Sequence, residues 1–213
     1  MPHQVVLAQR SDLHLMRKLW HLSTGLLGLS IYYRTGWTTK TWAIITLSIA
    51  LSGLLFDFIR LNNKDVNKLA IKVLKPFMRH GEDETYTGLP FYALGVSLSL
   101  FFFPERLALL SIFFLVLSDP ISSFFGVLYG RDKIIPGKSI QGTLAGFITC
   151  YLTTLVYGLF YMEASLSLLA FALIAGIIGA VSELFSVIVD DNLSIPVLSG
   201  LGLWFINLFF HLF

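Results

Sequence analysis

The residues of this chain best equipped for chemistry are an aspartate before a proline, Asp119-Pro120, and a lysine before a serine, Lys138-Ser139. Both lie in one polar, glycine-rich passage, LSDPISSFFGVLYGRDKIIPGKSIQGTLAG, at positions 117–146, between two apolar stretches. A carboxylate inside a segment long enough to cross a bilayer costs about 2.5–3.5 kcal/mol on insertion scales. Packing alone does not call for one. Downstream, Pro136-Gly137 reads as a turn, Lys138 as a point charge, and Ser139 as the N-cap of the next helix. The positive end of that helix would face the same pocket as Lys138, an arrangement suited to phosphate. Arg131, Lys133 and Gly142 complete this candidate nucleotide-binding set.

The GKS triplet is not a Walker A motif. That motif needs glycine five positions before Gly137, where Asp132 stands, and a preceding β-strand where this chain has an apolar segment.

A second set is acidic. Asp119, Glu183 and Asp191, with Asn192, are hard oxygen donors suited to Mg²⁺, which takes one or two protein carboxylates and completes its shell with substrate phosphates. A metal, a cation on the phosphates and a base for the attacking hydroxyl are the parts phosphoryl transfer requires. For Asp190 and Asp191 a solvated turn is an equal alternative. Near the N-terminus, Arg17 and His21 are four apart and share a helix face. They could hold a second phosphate or a headgroup, or anchor the interface beside Trp20. His14, His80 and His211 show no metal-ligand spacing, and the lone Cys150 excludes a disulfide framework.

The elements that must position these groups are membrane helices. Of 213 residues, 55% are hydrophobic and 13% charged, with a mean hydropathy of +0.76, which places the chain in the polytopic membrane class. The expectation is a single all-α domain over 1–213, a bundle of about seven transmembrane helices near 13–33, 41–58, 88–103, 107–129, 143–162, 166–189 and 195–213. Neither a cleavable signal before the first span nor a nucleic-acid partner is expected. Between the second and third spans, Val66, Leu69, Ala70, Val73, Leu74 and Phe77 recur at helical spacing, with Lys64, Lys68, Lys72, Lys75 and Arg79 largely between them. This predicts a basic amphipathic helix over 63–79, suited to an anionic leaflet.

Twelve of the fifteen Lys and Arg residues fall on one side of this topology, and Arg34, Lys40 and Arg106 on the other. The N-terminus and every polar cluster above are therefore expected at the cytoplasmic face, and the C-terminus on the opposite side.

Several motifs occur in order: RKLWH (Arg17, Lys18, His21), RHGE with TG, Tyr92 and Gly95 (Arg79, Glu82, Thr87, Gly88), SDP (Ser118, Asp119, Pro120), GRDK with GKS (Gly130 to Ser139), and Glu183 with DDNLSIP (Asp190 to Pro196). Together they resemble the CTP-dependent lipid kinases, the family of dolichol kinase, phytol kinase and the yeast-type diacylglycerol kinase. The resemblance implies transfer of the γ-phosphate of a nucleotide, typically CTP, to the hydroxyl of a lipid alcohol in the bilayer. It also implies that Asp119 and Lys138 are essential, with Asp191, Asn192, Glu183 and Glu82 supporting them and Ser118, Thr87 and Gly88 in the same motifs. Gln141 stands where the pattern has Glu, and Ser194 where it has Thr. The compact length favours a phytol or diacylglycerol kinase-like member.

Two other readings use the same residues: a CTP:phosphatidate cytidylyltransferase, which would release pyrophosphate, and a small ion-coupled transporter lined by Asp119 and Glu183. The spans do not distinguish an isoprenoid alcohol from diacylglycerol, and the choice of CTP over ATP rests on the resemblance.

Overall fold

The computed structural model describes residues 15–79, 81–187 and 189–213. Leu13, the start expected for the first span, lies outside them, as do Arg10, His14 and His80. All seven anticipated segments are helical, and the amphipathic one is too. Helix α1 spans Leu15–Thr35, α2 Thr39–Asn62, α3 Lys64–Leu74, α4 Gly88–Phe102, α5 Glu105–Phe113, α6 Asp119–Tyr129, α7 Ile140–Leu159, α8 Leu166–Leu184 and α9 Asp191–Phe210. A π-helical turn, Phe114–Ser118, joins α5 to α6 in one rod, Glu105–Tyr129. Five helices are long and apolar enough to cross a membrane, and α4 is a shorter apolar one.

That rod is the axis of the bundle. About 72% of its most apolar window is buried, against 17% for α2, and Leu107, Leu110, Phe114, Leu115 and Val116 are wholly enclosed. The other helices neighbour one another in the order α2, α4, α9, α8, α7, and α7 packs back against α6 of the rod. Their outer faces carry exposed Ile, Leu, Phe and Trp side chains, as expected of surfaces that meet lipid tails.

The π-turn has a local cause. Pro120 has no N–H to offer the preceding carbonyls. In π-geometry its partner would be Leu115 O, and that carbonyl instead accepts a hydrogen bond from His21 Nε2 of α1, 3.0 Å away. The irregularity just before Asp119 is thereby tied to the N-terminal helix.

The amphipathic segment is shorter than the pattern suggests. Asn63 caps α3 by accepting from Asp65 N and Val66 N, and Pro76 replaces its end with a 3₁₀ turn, Lys75–Phe77. A small hairpin, β1 Lys133–Ile135 against β2 Lys138–Ser139, is the one departure from all-helical structure among the described residues. Gly137 turns it at φ +81°.

Candidate active site

The hairpin delivers Lys138 to Glu183. Lys138 Nζ lies 2.8 Å from Glu183 Oε1, and Glu183 is only 3% exposed. Its other oxygen, Oε2, has no partner among the described residues. Helices α6 and α7 touch backbone to backbone here. A Cβ on Gly142 would stand 2.9 Å from Ser122 O and 3.0 Å from Gly126 Cα. One turn on, a Cβ on Gly146 would meet Glu183 Oε2 at 2.8 Å and Ser118 Oγ at 3.3 Å. The small residues therefore clear the space in which Glu183 reaches the start of α6, where Asp119 is buried. Among the charges that act on Asp119 are those of Asp191, Lys138, Arg17, Arg79 and Lys18.

Ser139 caps α7 as anticipated, accepting from Gly142 N at 3.2 Å. Ile140 N donates to Asp132 O. Two amides of the helix end are thus occupied, and an incoming phosphate would rely on the Lys138 ammonium. Arg131 and Lys133 are exposed on the hairpin and form no ion pair among the described residues. Gln141 donates to Asp132 at 3.0 Å, a contact in which a glutamate would be repelled.

A second cluster gathers across α4 and α9. Arg79 pairs with Asp190 at 3.2 Å and with Asp191. Burial works against its charge, but the two carboxylates hold the guanidinium above its usual value. Glu82 closes the loop, accepting from Arg79 N at 2.9 Å and Gly88 N at 3.1 Å. Asn192 Nδ2 donates to Gly88 O. Asp191, expected as a metal ligand, is therefore engaged by Arg79, and Asn192 sits beside Gly88. Among the described residues, no three His, Cys, Asp or Glu side chains are placed to hold a metal ion by themselves.

Asp190 outside the helices is pushed up to about 6, by burial first and the Asp191 charge second, with Arg79 offsetting part of the shift. The folded state therefore binds a proton more readily than the unfolded one. Asp190 opposes folding progressively as pH rises from about 4 to about 6. Asp190→Asn, which keeps the cap on Asn192 N, is expected to raise the unfolding temperature at pH 7.5 and to match the wild type at pH 4. An equal difference at both values would exclude this origin.

The ion pair that anchors this region was not singled out in the sequence. Arg60 and Asp57 are 0% and 1% exposed and 2.6 Å apart. Arg60 also donates to Asn67 Oδ1, Glu82 O and Thr85 O. Asp57 Oδ2 accepts from Thr87 N and Thr87 Oγ1. An i, i+3 Asp/Arg pair at the end of an apolar helix was the available signal. It is indistinguishable in sequence from an interfacial charge pair.

Between α1, α3 and α4 lies a cavity of about 340 Å³, within the range of small-molecule sites. Trp20, Val73, Leu74, Phe77, Met78 and Leu89 form its apolar lining; Arg17, His21, Glu82, Tyr92 and Asn192 contribute polar groups. Arg17 Nε, Tyr92 Oη and Asn192 Oδ1 are buried without partners among the described residues. Each such atom costs about 1–3 kcal/mol if nothing satisfies it.

A family model described as the cytidylyltransferase family matches residues 6–189. The CTP-dependent diacylglycerol kinase 1 of Saccharomyces cerevisiae is 34% identical over 211 residues, covering 87% of this chain and 70% of that protein. Its Schizosaccharomyces pombe counterpart is 37% identical, covering 70% and 74%. That of Eremothecium gossypii is 33% identical, covering 87% and 64%. The chain belongs to the CTP-dependent lipid kinase family. No solved structure matches it.

As a lipid kinase the chain is a phosphotransferase, which removes the transporter alternative. The polar groups of this lipid kinase form two neighbouring clusters, Lys138 with Glu183 and Arg79 with Asp190 and Asp191, and the buried Asp119 feels charges from both. The apolar cavity adjoins the second cluster through Glu82 and Asn192.

Proposed function

We propose that this chain is an integral membrane kinase that transfers the γ-phosphate of CTP to the hydroxyl of a lipid alcohol, diacylglycerol being favoured over phytol or a polyprenol by the names of its relatives. The observation that carries this reading is an amphipathic cavity that adjoins the Arg79 and Asp190 cluster through Glu82 and Asn192, in the same bundle as the buried Lys138 and Glu183 pair. A lipid alcohol needs the cavity and a nucleotide triphosphate the lysine.

In this scheme the lipid oxygen attacks the γ-phosphorus, the bond to the β–γ bridging oxygen breaks, and CDP leaves. Lys138 neutralises charge on the phosphates. Asp119 takes the hydroxyl proton, held in place by the π-turn that His21 braces. Asp119 and the unpartnered oxygen of Glu183 suit a magnesium ion, which needs one or two carboxylates beside substrate phosphates. When bound, that ion would neutralise charge developing on the transferred group. The Lys and Arg bias supports an orientation with the N-terminus and the site facing the cytoplasm.

The test is product identity. Purified protein with Mg²⁺ and γ-labelled CTP or ATP should move label into diacylglycerol, phytol, geranylgeraniol or polyprenol, with CDP or ADP released. Pyrophosphate release with CTP and phosphatidate, and no lipid labelling, would instead favour the cytidylyltransferase reading that the family description also admits.

A further inference from the structure

We propose that the cavity between α1, α3 and α4 is the seat of the acceptor lipid, reached from the bilayer across α3; this rests on the kinase reading above. Four features converge on it. Its apolar wall comes from α3 and the following 3₁₀ turn, through Val73, Leu74 and Phe77, facing Trp20 of α1, whose ring centroid is 4.9 Å from that of Phe77. Helix α3 is built for an interface. Leu69 and Val73 are 66% and 65% exposed, yet Lys64, Lys68, Lys72 and Lys75 are exposed on the same short segment. Apolar side chains so placed enter the acyl region while the ammonium groups stay with headgroups. Val73 belongs both to that exposed surface and to the cavity lining, which makes it the threshold.

Arg17, Tyr92 and Asn192 line the cavity, and each carries a buried polar atom without a partner among the described residues, which suits them to the head of the ligand. Asn192 Oδ1 can only accept a hydrogen bond and Arg17 Nε can only donate one, while Tyr92 Oη has a proton to give. A hydroxyl lying beside Asn192, with ester carbonyls that accept from Arg17 and Tyr92, suits these side chains. An acylglycerol carries these groups together. An isoprenoid alcohol carries the hydroxyl alone. Lys138 and the hairpin are not part of this lining, so the nucleotide phosphates approach from another side.

The test uses the full chain in phosphatidylcholine vesicles. Val73→Trp fills the threshold from an exposed position and should raise KM for diacylglycerol roughly tenfold, with KM for CTP essentially unchanged. Tyr92→Phe removes an unsatisfied hydroxyl without changing shape. It should raise KM for diacylglycerol about three- to tenfold, and leave KM for a long-chain alcohol without esters unaltered. Independently of turnover, a diazirine-bearing diacylglycerol added without nucleotide should label the peptide containing Val73 and Phe77, and Val73→Trp should abolish that labelling. A rise in KM for CTP alone would assign the cavity to the nucleotide and overturn the proposal. An active kinase labelled elsewhere would overturn the site but not the activity; labelling here without phosphorylated lipid would overturn the activity but not the site.

Discussion

Lys138→Met is expected to lower turnover by on the order of 10³-fold or more, because among the described residues no other cation is held against the buried acids from the hairpin side. It should also destabilise the protein. Glu183 is 3% exposed and has Lys138 as its one ion-pair partner among the described residues. Removing one member of a buried pair costs about 3–5 kcal/mol, since the other charge is left uncompensated. The two effects separate in Lys138→Met/Glu183→Gln, where no carboxylate is stranded. Thermal unfolding in detergent should recover most of the loss, while single-turnover transfer from labelled CTP should not recover. A double variant that regained both stability and turnover would show that Lys138 serves only to neutralise Glu183.

The second large effect is expected at Arg60, far from the hairpin. Arg60→Met removes the guanidinium that bridges Asp57, Asn67 and the carbonyls of Glu82 and Thr85. The Asp57 carboxylate then stays buried with only Thr87, among the described residues, to satisfy it. A loss of about 3–5 kcal/mol follows from the stranded charge. Arg60→Lys should not rescue it, because a single ammonium cannot reach acceptors arranged around a planar fork. The loop containing Glu82 and Thr85 should also become sensitive to protease, since its carbonyls lose their tether. Unchanged cleavage and melting in Arg60→Met would mean that the loop is held by Glu82 and Gly88 alone.

Both expectations turn on contacts of different legibility. The Lys138 motif could be read along the chain, because a turn at Pro136-Gly137 and a serine cap are local events governed by backbone preference. The helix pattern was legible for the same reason: an apolar run must satisfy its own amides in lipid, and a helix does so without distant partners. Even the amphipathic α3 was visible, and only its end was misplaced, where Pro76 breaks the helix. Arg79 and Asp190 are different. They are separated by 111 positions, and nothing in either neighbourhood announces the other. His21 is a further case. Its spacing from Arg17 fits a phosphate or headgroup ligand or an interfacial anchor, and nothing near it in sequence announces that its Nε2 meets Leu115 O in another helix.

The sequence by itself determined that this is a multi-helix membrane protein of the lipid-kinase type, with an acidic residue before Pro120 and a cation at the GKS turn, because hydropathy, turn chemistry and ordered motifs are written in neighbouring residues. Only the tertiary structure decided which acid each cation meets, that Asp57 and Arg60 hold the loop bearing Glu82, and that α1, α3 and α4 leave a cavity between them. Those outcomes depend on which helix faces pack together, and close packing is a property of surfaces brought together from remote parts of the chain.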